Sequence, residues 1–326
     1  MSVEFDITTE CNRGCEYCPS SRGPNAMKLD MAILERFFRS LEGQTKGLLM
    51  SGGEPTIAET FPHTLQLAKK SGFVDISLVS NGSQLYRKRV RDALLSDASV
   101  IRISVYGWES GQPDEEFKQV LKQVEKLRKE IEDSGSSLEI GFSLLTHSSM
   151  IDRIPAILET IRDAGAHWLY FHPECDGWGT GVLNQFAQDG VIAKIKKIQK
   201  RYDSFATYLC EERYHKDPLA FDRYHTSYFL MVIGAYAGIY LGTEGKYQPH
   251  LKMGKLTEEW KTDDLWDEKR CNKIVATNSD NYTAIDGRHR GVLYNHLVQQ
   301  IISGTLELDG TIKKAHDTGM RYPYVL

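Results

Sequence analysis

No stretch of the 326-residue chain is both long and apolar enough to suggest a membrane span. The longest apolar run, Tyr228 to Leu241, is too short and is interrupted by Gly234 and Gly238, so a buried β-hairpin is expected there. The opening MSVEFDITTE lacks the basic and apolar segments of a secretory signal, which predicts a cytoplasmic protein in a reducing compartment. An excess of charge of one sign is also lacking. Forty basic side chains face 44 acidic ones, for a formal charge of −4, and no overall field favours nucleic acid or an anionic membrane. Cysteine is scarce: six residues at positions 11, 15, 18, 175, 210 and 271, three close together and three scattered. That distribution excludes a disulfide framework and points the trio toward metal or cluster ligation.

What the chain has is alternation. From residue 3 to about residue 205, short β-branched runs alternate with longer segments of helical periodicity, the pattern of parallel βα units. Six strands are predicted: Val3 to Thr8, Gly47 to Met50, Val74 to Val79, Val100 to Val105, Leu138 to Leu145 and His167 to Phe171. Between them, Phe117, Val120, Leu121, Val124, Leu127 and Ile131 form an apolar helical stripe, repeated by Ile154, Ile157, Leu158 and Ile161 and by Ile192, Ile195 and Ile198. The fold class is therefore α/β, a curved parallel sheet with helices outside over residues 1–205. Residues 206–326 are expected to form a smaller α+β region that completes the substrate site. In such folds the chemistry gathers just beyond the carboxyl ends of the strands.

The first strand runs into Cys11-Asn12-Arg13-Gly14-Cys15-Glu16-Tyr17-Cys18-Pro19. Thiolates are soft ligands for zinc or iron–sulfur clusters, and three of them leave a four-coordinate site one ligand short. A structural zinc knuckle would need a distant fourth ligand; the next histidine is His63, and no second C-x2-C exists. The second strand ends in Ser51-Gly52-Gly53-Glu54-Pro55-Thr56, where glycines can let the backbone approach a ligand and a carboxylate can accept from an ammonium group. Beyond the third strand come Ser80 and Asn81, and in the fourth Ser104. These positions suit hydroxyl or carboxylate contacts but are also ordinary turn residues.

The C-x3-C-x2-C loop after a first strand resembles the signature of the radical S-adenosylmethionine (radical SAM) superfamily, and Gly52-Gly53-Glu54-Pro55 resembles its GGEP motif. The resemblance implies a partial (β/α)6 barrel. It implies that Cys11, Cys15 and Cys18 hold one [4Fe-4S] cluster, with the amine and carboxylate of S-adenosyl-L-methionine on the fourth iron. Tyr17 would lie near the adenine, Gly52, Gly53 and Glu54 at the methionine amine, and Ser80, Asn81 and Ser104 at the ribose or carboxylate. An electron donor such as flavodoxin or ferredoxin is implied as a partner, and the product is a 5'-deoxyadenosyl radical. Ser143 and His147, at the fifth strand end, match looser adenine contacts; His147 is not expected to be a catalytic base.

The region after residue 205 resembles the SPASM/twitch scaffold on which relatives mount auxiliary clusters, in Ala237 to Gly245, Gly254-Lys255-Leu256 and a helix near Asp263 to Lys269. The clustered auxiliary cysteines are missing. Cys175, Cys210 and Cys271 stand far apart, which predicts buried small residues, and neither Cys210 nor Cys271 sits on a recognisable strand end. Without a second cluster a redox-neutral outcome gains weight. Cys175, just past the sixth strand and flanked by Glu174 and Asp176, is the candidate hydrogen donor, or else it packs under its loop. Arg288, His289 and Arg290 either clamp an anionic substrate group or pair with acids across the junction, with Tyr282, Tyr294 and Asn295 nearby.

The function these features imply is hydrogen abstraction from a carbohydrate-like or nucleoside-like small molecule, epimerisation being preferred to dehydration or dehydrogenation of a natural-product intermediate. A radical SAM peptide-modifying enzyme is a second possibility and a non-catalytic metal-binding protein a third. The charge balance disfavours nucleic acid, although a tRNA substrate stays open.

Overall fold

The computed structural model describes residues 2–15, 18, 27–108, 110–146, 150–173, 189–214, 220–282 and 288–305, with the backbone alone at Asp189, Glu212 and His289. The strands are β1 (Ser2–Thr8), β2 (Gly47–Gly52), β3 (Asp75–Ser80), β4 (Val100–Ser104), β5 (Glu139–Thr146), β6 (Trp168–Pro173), β7 (Ala206–Leu209), β8 (Leu230–Ile233), β9 (Gly238–Tyr240) and β10 (Lys252–Lys255). All join one open sheet in the order β10-β9-β8-β1-β2-β3-β4-β5-β6-β7. Neighbours from β8 through β7 are parallel, whereas β8-β9-β10 is an antiparallel meander. The six expected strands are present within a residue or two of their expected ends.

The region after residue 205 adds strands to the same sheet. β7 pairs parallel to β6 and β8 pairs parallel to β1, so the sheet extends at both flanks. The apolar run of Tyr228 to Leu241 forms most of the expected hairpin, turning at Ala237, whose φ of 65° is in the left-handed region. Its first residues instead close a helical turn, α7 below.

The helices are α1 (Met31–Ser40), α2 (Phe61–Lys70), α3 (Lys88–Asp97), α4 (Glu115–Ser134), α5 (Ile154–Asp163), α6 (Asp189–Arg201), α7 (Thr226–Phe229), α8 (Glu268–Ala276) and α9 (Arg288–Ile302). The six-residue stripe expected from Phe117 to Ile131 is the buried face of α4. Asp114 caps that helix by accepting from Phe117 N at 2.7 Å, and Gly135, at φ 66°, ends it. The main core lies between sheet and helices, where Phe38 meets Phe5 and Phe73 edge-on. A smaller cluster of Phe221, Tyr224, Leu241, Leu251, Ile274 and Tyr282 packs the C-terminal region. Among the described residues no helix is long and apolar enough to cross a membrane.

The two faces of the sheet differ because side chains alternate along a strand. On β4, Ile101 and Ile103 are fully buried in the core, whereas Arg102 and Ser104 are half-buried on the other face. On β6 the same division sets Leu169 and Phe171 against Trp168, Tyr170 and His172. Gly141 of β5 leaves room for the Trp168 ring, since a Cβ there would stand 2.2 Å from it. One face is thus an apolar floor for helices and the other a polar surface.

Candidate active site

The cysteine loop leaves the end of β1 and is fastened where it starts and where it returns. At the return, Thr9 N donates to Met27 O at 2.9 Å, Thr8 Oγ1 donates to Met27 O at 3.1 Å, and Met27 N donates to Thr9 Oγ1 at 3.0 Å. At the start, Gly53 N donates to Thr8 O at 2.9 Å and Glu54 N to Glu10 O at 2.8 Å. These bonds revise the role expected of the glycine pair. A Cβ on Gly53 would lie 2.0 Å from Glu10 O, and one on Gly52, at φ 116°, would lie 2.3 Å from Thr8 O. The surface that requires glycine is the backbone leading to Cys11, so the pair seats the cysteine loop.

Cys11 and Cys15 are exposed and Cys18 is half-buried, none in a disulfide. Cys18 N donates to Cys15 O at 3.3 Å, and Arg13 N points to Cys11 Sγ at 3.4 Å. Burial pushes the Cys11 thiol up, and Glu54, Cys18 and Cys15 push the same way, against the bond from Arg13 N. Among the described residues no three His, Cys, Asp or Glu side chains converge as they would around one ion. A multi-iron cluster asks for something else, thiols spaced so that each takes a different iron, and this all-sulfur donor set fits it.

Polar residues beyond β3 brace the loop. Asn81 Nδ2 donates to Asn12 Oδ1 at 3.0 Å and lies 4.0 Å from Cys11 Sγ, and Asn12 Nδ2 donates to Ser83 Oγ at 2.9 Å. The Arg13 guanidinium lies 3.4 Å above the Tyr106 ring and pairs with Glu116. Tyr106 donates to Asn81 O at 3.2 Å, and burial, partly offset by Arg13, pushes its hydroxyl up to about 12. Arg13, Tyr106 and Glu116 were not legible as site residues, because nothing in a loop arginine's spacing marks a distant aromatic partner.

Glu54 is buried and ties two loops together. Its Oε1 accepts from Thr56 N at 3.1 Å, from Ser80 Oγ at 2.8 Å and from the Thr56 hydroxyl; Oε2 accepts from Asn81 N at 2.7 Å. Burial pushes this carboxyl up against the pull of those donors. Oε2, with a single donor, keeps capacity for a ligand ammonium. Ser104 is half-buried beside Ser143 across β4 and β5, and its hydroxyl makes no hydrogen bond among the described residues. Tyr17, His147, Glu174, Cys175 and Asp176, and the side chain of His289, lie outside the described residues.

Below this rim lies an ionic cluster. Lys246 Nζ sits 2.9 Å from Glu4 and 2.7 Å from Asp6 and donates to Ser51 Oγ at 3.0 Å. Thr243 also donates to Glu4, and Tyr247 donates to Asp6 at 2.7 Å. Glu4 and Asp6 share a face two residues apart on β1, and Asp6 is in register with Ser51. Their signal in the sequence is the alternation Val3-Glu4-Phe5-Asp6-Ile7, acids where a strand with both faces buried would carry apolar residues.

The two candidate arginines divide. Arg290 donates to Thr243 Oγ1 at 2.8 Å and pairs with Glu244 at 3.3 Å, the acid-pairing alternative. Arg288 donates to Tyr282 O at 3.0 Å and to Ser279 O, which makes it a brace for that segment. Tyr282 stacks on Tyr224, and Tyr294 on Phe229. Two expectations for the later cysteines are corrected. Cys210 directly follows β7 and so does sit at a strand end, and Cys210 and Cys271, the latter within α8, are half-buried rather than buried.

Two tests follow from this geometry. Gly53→Ala should displace the cysteine loop, lowering the iron retained per chain after anaerobic reconstitution while far-UV circular dichroism stays native; wild-type iron content would show that the close approach is dispensable. Lys246→Met should destabilise the chain by about 3–5 kcal/mol near neutral pH, because it strands two buried carboxylates. Burial raises the Glu4 carboxyl, but Lys246, Arg290 and Thr243 outweigh burial and hold it below its ordinary value. A depressed carboxyl contributes stability above its unfolded pKa and loses it as pH falls through the folded value. The gap between wild type and variant in urea unfolding should therefore narrow on acidification, and a constant gap would remove Glu4 from the account.

Residues 5–137 match the Radical SAM superfamily. The chain is 30% identical over 175 residues to a "Probable GTP 3',8-cyclase" of Methanococcus maripaludis (strain C7), covering 51% of this chain and 56% of that protein. It is 28% identical over 103 residues to a "7,8-dihydro-6-hydroxymethylpterin dimethyltransferase" of Methanocaldococcus jannaschii, covering 29% of this chain and 20% of that protein. The chain thus spans about half the length, or less, of these curated relatives. Among solved structures it is similar in fold to Streptococcus suis SuiB bound to precursor peptide SuiA, with a TM-score of 0.64, 13% identity and coverage of 85% of this chain and 66% of that one. It is also similar to native anSMEcpe with bound AdoMet, with a TM-score of 0.58, 14% identity and coverage of 84% and 83%. Both neighbours are radical SAM enzymes, a superfamily that uses a [4Fe-4S] cluster and S-adenosylmethionine. The residues that build and seat the cysteine loop fall inside the matched segment, and the part of this chain that does so is a radical SAM superfamily domain.

Proposed function

We propose that the chain is a radical SAM enzyme in which Cys11, Cys15 and Cys18 hold a [4Fe-4S] cluster and S-adenosyl-L-methionine binds over Gly52, Gly53 and Glu54, against Ser80, Asn81 and Ser104. The observation that carries this reading is the seating of an all-cysteine loop directly on the Gly52-Gly53-Glu54 turn by the bonds Gly53 N to Thr8 O and Glu54 N to Glu10 O. With both groups bound, an electron from a donor such as flavodoxin or ferredoxin yields the 5'-deoxyadenosyl radical that abstracts hydrogen from substrate. Cys11 and Cys15 are exposed, where a donor can approach. Asn81 and Arg13 hold the loop against β3 and β4, fixing its thiols relative to the polar face. Glu54 carries acceptor capacity for an ammonium group, and the Ser104 hydroxyl is open to a carboxylate or ribose.

The substrate we propose is a small molecule of nucleoside-like or carbohydrate-like character. Two relatives named for GTP and for a pterin support the nucleoside-like option, over the half of the chain that they match. The proposed outcome leaves the substrate's oxidation state unchanged: Cys175 gives a hydrogen atom to the substrate radical in an epimerisation, and one electron from the donor with a proton restores the thiol from the resulting thiyl radical. What supports this is the sequence: a lone thiol just beyond β6, with the later cysteines widely spaced.

Anaerobic reconstitution should give about four irons per chain, as a [4Fe-4S] cluster requires, and dithionite should then cleave S-adenosylmethionine to 5'-deoxyadenosine. Alanine at Cys11, Cys15 or Cys18 should abolish both, and cleavage without bound iron would sink the reading. With a turnover assay in hand, heavy water should place deuterium on product carbon in the wild type. The same label in a Cys175→Ala variant would eliminate this thiol as the donor.

A further inference from the structure

The polar face of the sheet holds one cation that the described residues do not account for. Among the described residues Glu4 is held by Lys246 and Thr243, Asp6 by Lys246 and Tyr247, and Glu244 by Arg290. Arg102, at the centre of β4, has no such partner. Among the described residues its guanidinium makes neither a hydrogen bond nor an ion pair, and its Nε is buried and unsatisfied. Its one recorded contact is with the ring of Tyr170 on β6, 5.9 Å from the guanidinium carbon.

Leaving a desolvated cation without a counter-charge is costly, and cationic neighbours add to the cost. Burial pushes the Arg102 guanidinium down; Tyr170 and Glu4 oppose this, while Arg213 and Arg290 push it further down. Three guanidinium groups from three elements, β4, the turn of Glu211–Tyr214 and α9, thus act on one another across this face. Arg213 reaches the Tyr170 hydroxyl at 3.4 Å, on the same ring that Arg102 faces. A half-buried guanidinium whose Nε is buried and unsatisfied, with no counter-charge among the described residues, is a place where a ligand can complete the site.

We infer that Arg102, with Arg213 beside Tyr170, receives an oxyanion carried by the substrate, a carboxylate or a phosphate. A planar guanidinium presents paired donors to either group. The inference rests on the proposed radical SAM reading, because it takes this face as the substrate side. The anion is not the carboxylate of S-adenosylmethionine. Arg102 lies two residues before Ser104, roughly 6–7 Å deeper along β4, and the charged groups that act on it include Arg213, Glu4 and Arg290.

The test uses the full chain, anaerobically reconstituted, with inorganic phosphate and succinate as separate calorimetric probes and S-adenosylmethionine binding and cleavage measured alongside. Wild type should bind at least one probe, phosphate alone marking a phosphate ligand and succinate alone a carboxylate. Arg102→Gln should weaken that binding by roughly ten-fold or more, Arg102→Lys by less, and the affinity for S-adenosylmethionine should hold in both. Because Arg102 has no hydrogen-bond or ion-pair partner among the described residues, Arg102→Gln should unfold at the same temperature as ligand-free wild type or higher. The inference is overturned if neither probe binds wild type, if Arg102→Gln binds them unchanged, if it loses S-adenosylmethionine instead, or if its unfolding temperature falls. Probe binding lost with cleavage intact counts against the anion site alone, whereas absent cleavage counts against the radical reading.

Discussion

The Lys246 ammonium, enclosed by Glu4, Asp6 and Ser51, is the contact on which the rest of the structure depends. β1 is an interior strand, fourth of ten in the sheet, carries two carboxylates on its polar face and leads directly into the cysteine loop. Two adjacent buried carboxylates are tolerable only with a counter-charge held by good geometry. That charge comes from a segment more than two hundred residues later in the chain. Completing β1 therefore requires the C-terminal region, and the ionic cluster joins the two parts as firmly as the β1–β8 pairing does.

The site is organised in depth. At the rim, backbone contacts made possible by Gly52 and Gly53 fix the cysteine loop, and Glu54 links it to Ser80 and Asn81. One layer down, Ser104, Ser143 and Tyr170 stand in register across β4, β5 and β6. Deeper still, charge replaces hydroxyl groups, with acids on the β1 side and arginines on the β4 side. A molecule lying along this face would meet neutral hydrogen-bonding groups near the rim and cations at its far end.

Much of this was legible in the sequence because strands and amphipathic helices follow from periodicity, and Cys11, Cys15, Cys18 and Gly52-Gly53-Glu54 form compact motifs. The β7 strand was not, since Ala206–Leu209 is too short to show alternation. Nor was the partner of Glu4 and Asp6: Lys246 sits in a Gly/Tyr-rich turn, and its pairing depends on tertiary placement. The glycine pair was recognised, but its physical role was not, because spacing cannot distinguish a backbone approaching a ligand from one approaching another loop. Arg102 carries no signal in the sequence beyond its place in a strand; what sets it apart, the lack of an ion-pair partner among the described residues, is visible only in three dimensions.

The fastening of the cysteine loop bears on the iron-free chain. Among the described residues, bonds that hold its two ends come from backbone groups, from the hydroxyls of Thr8 and Thr9 and from the Lys28–Glu10 ion pair, and these do not use sulfur. The two ends of the loop are therefore held by contacts that do not need iron, unlike those of small metal-nucleated domains that stay unfolded without their metal. Two exposed thiols are open to incoming iron and equally to oxidants.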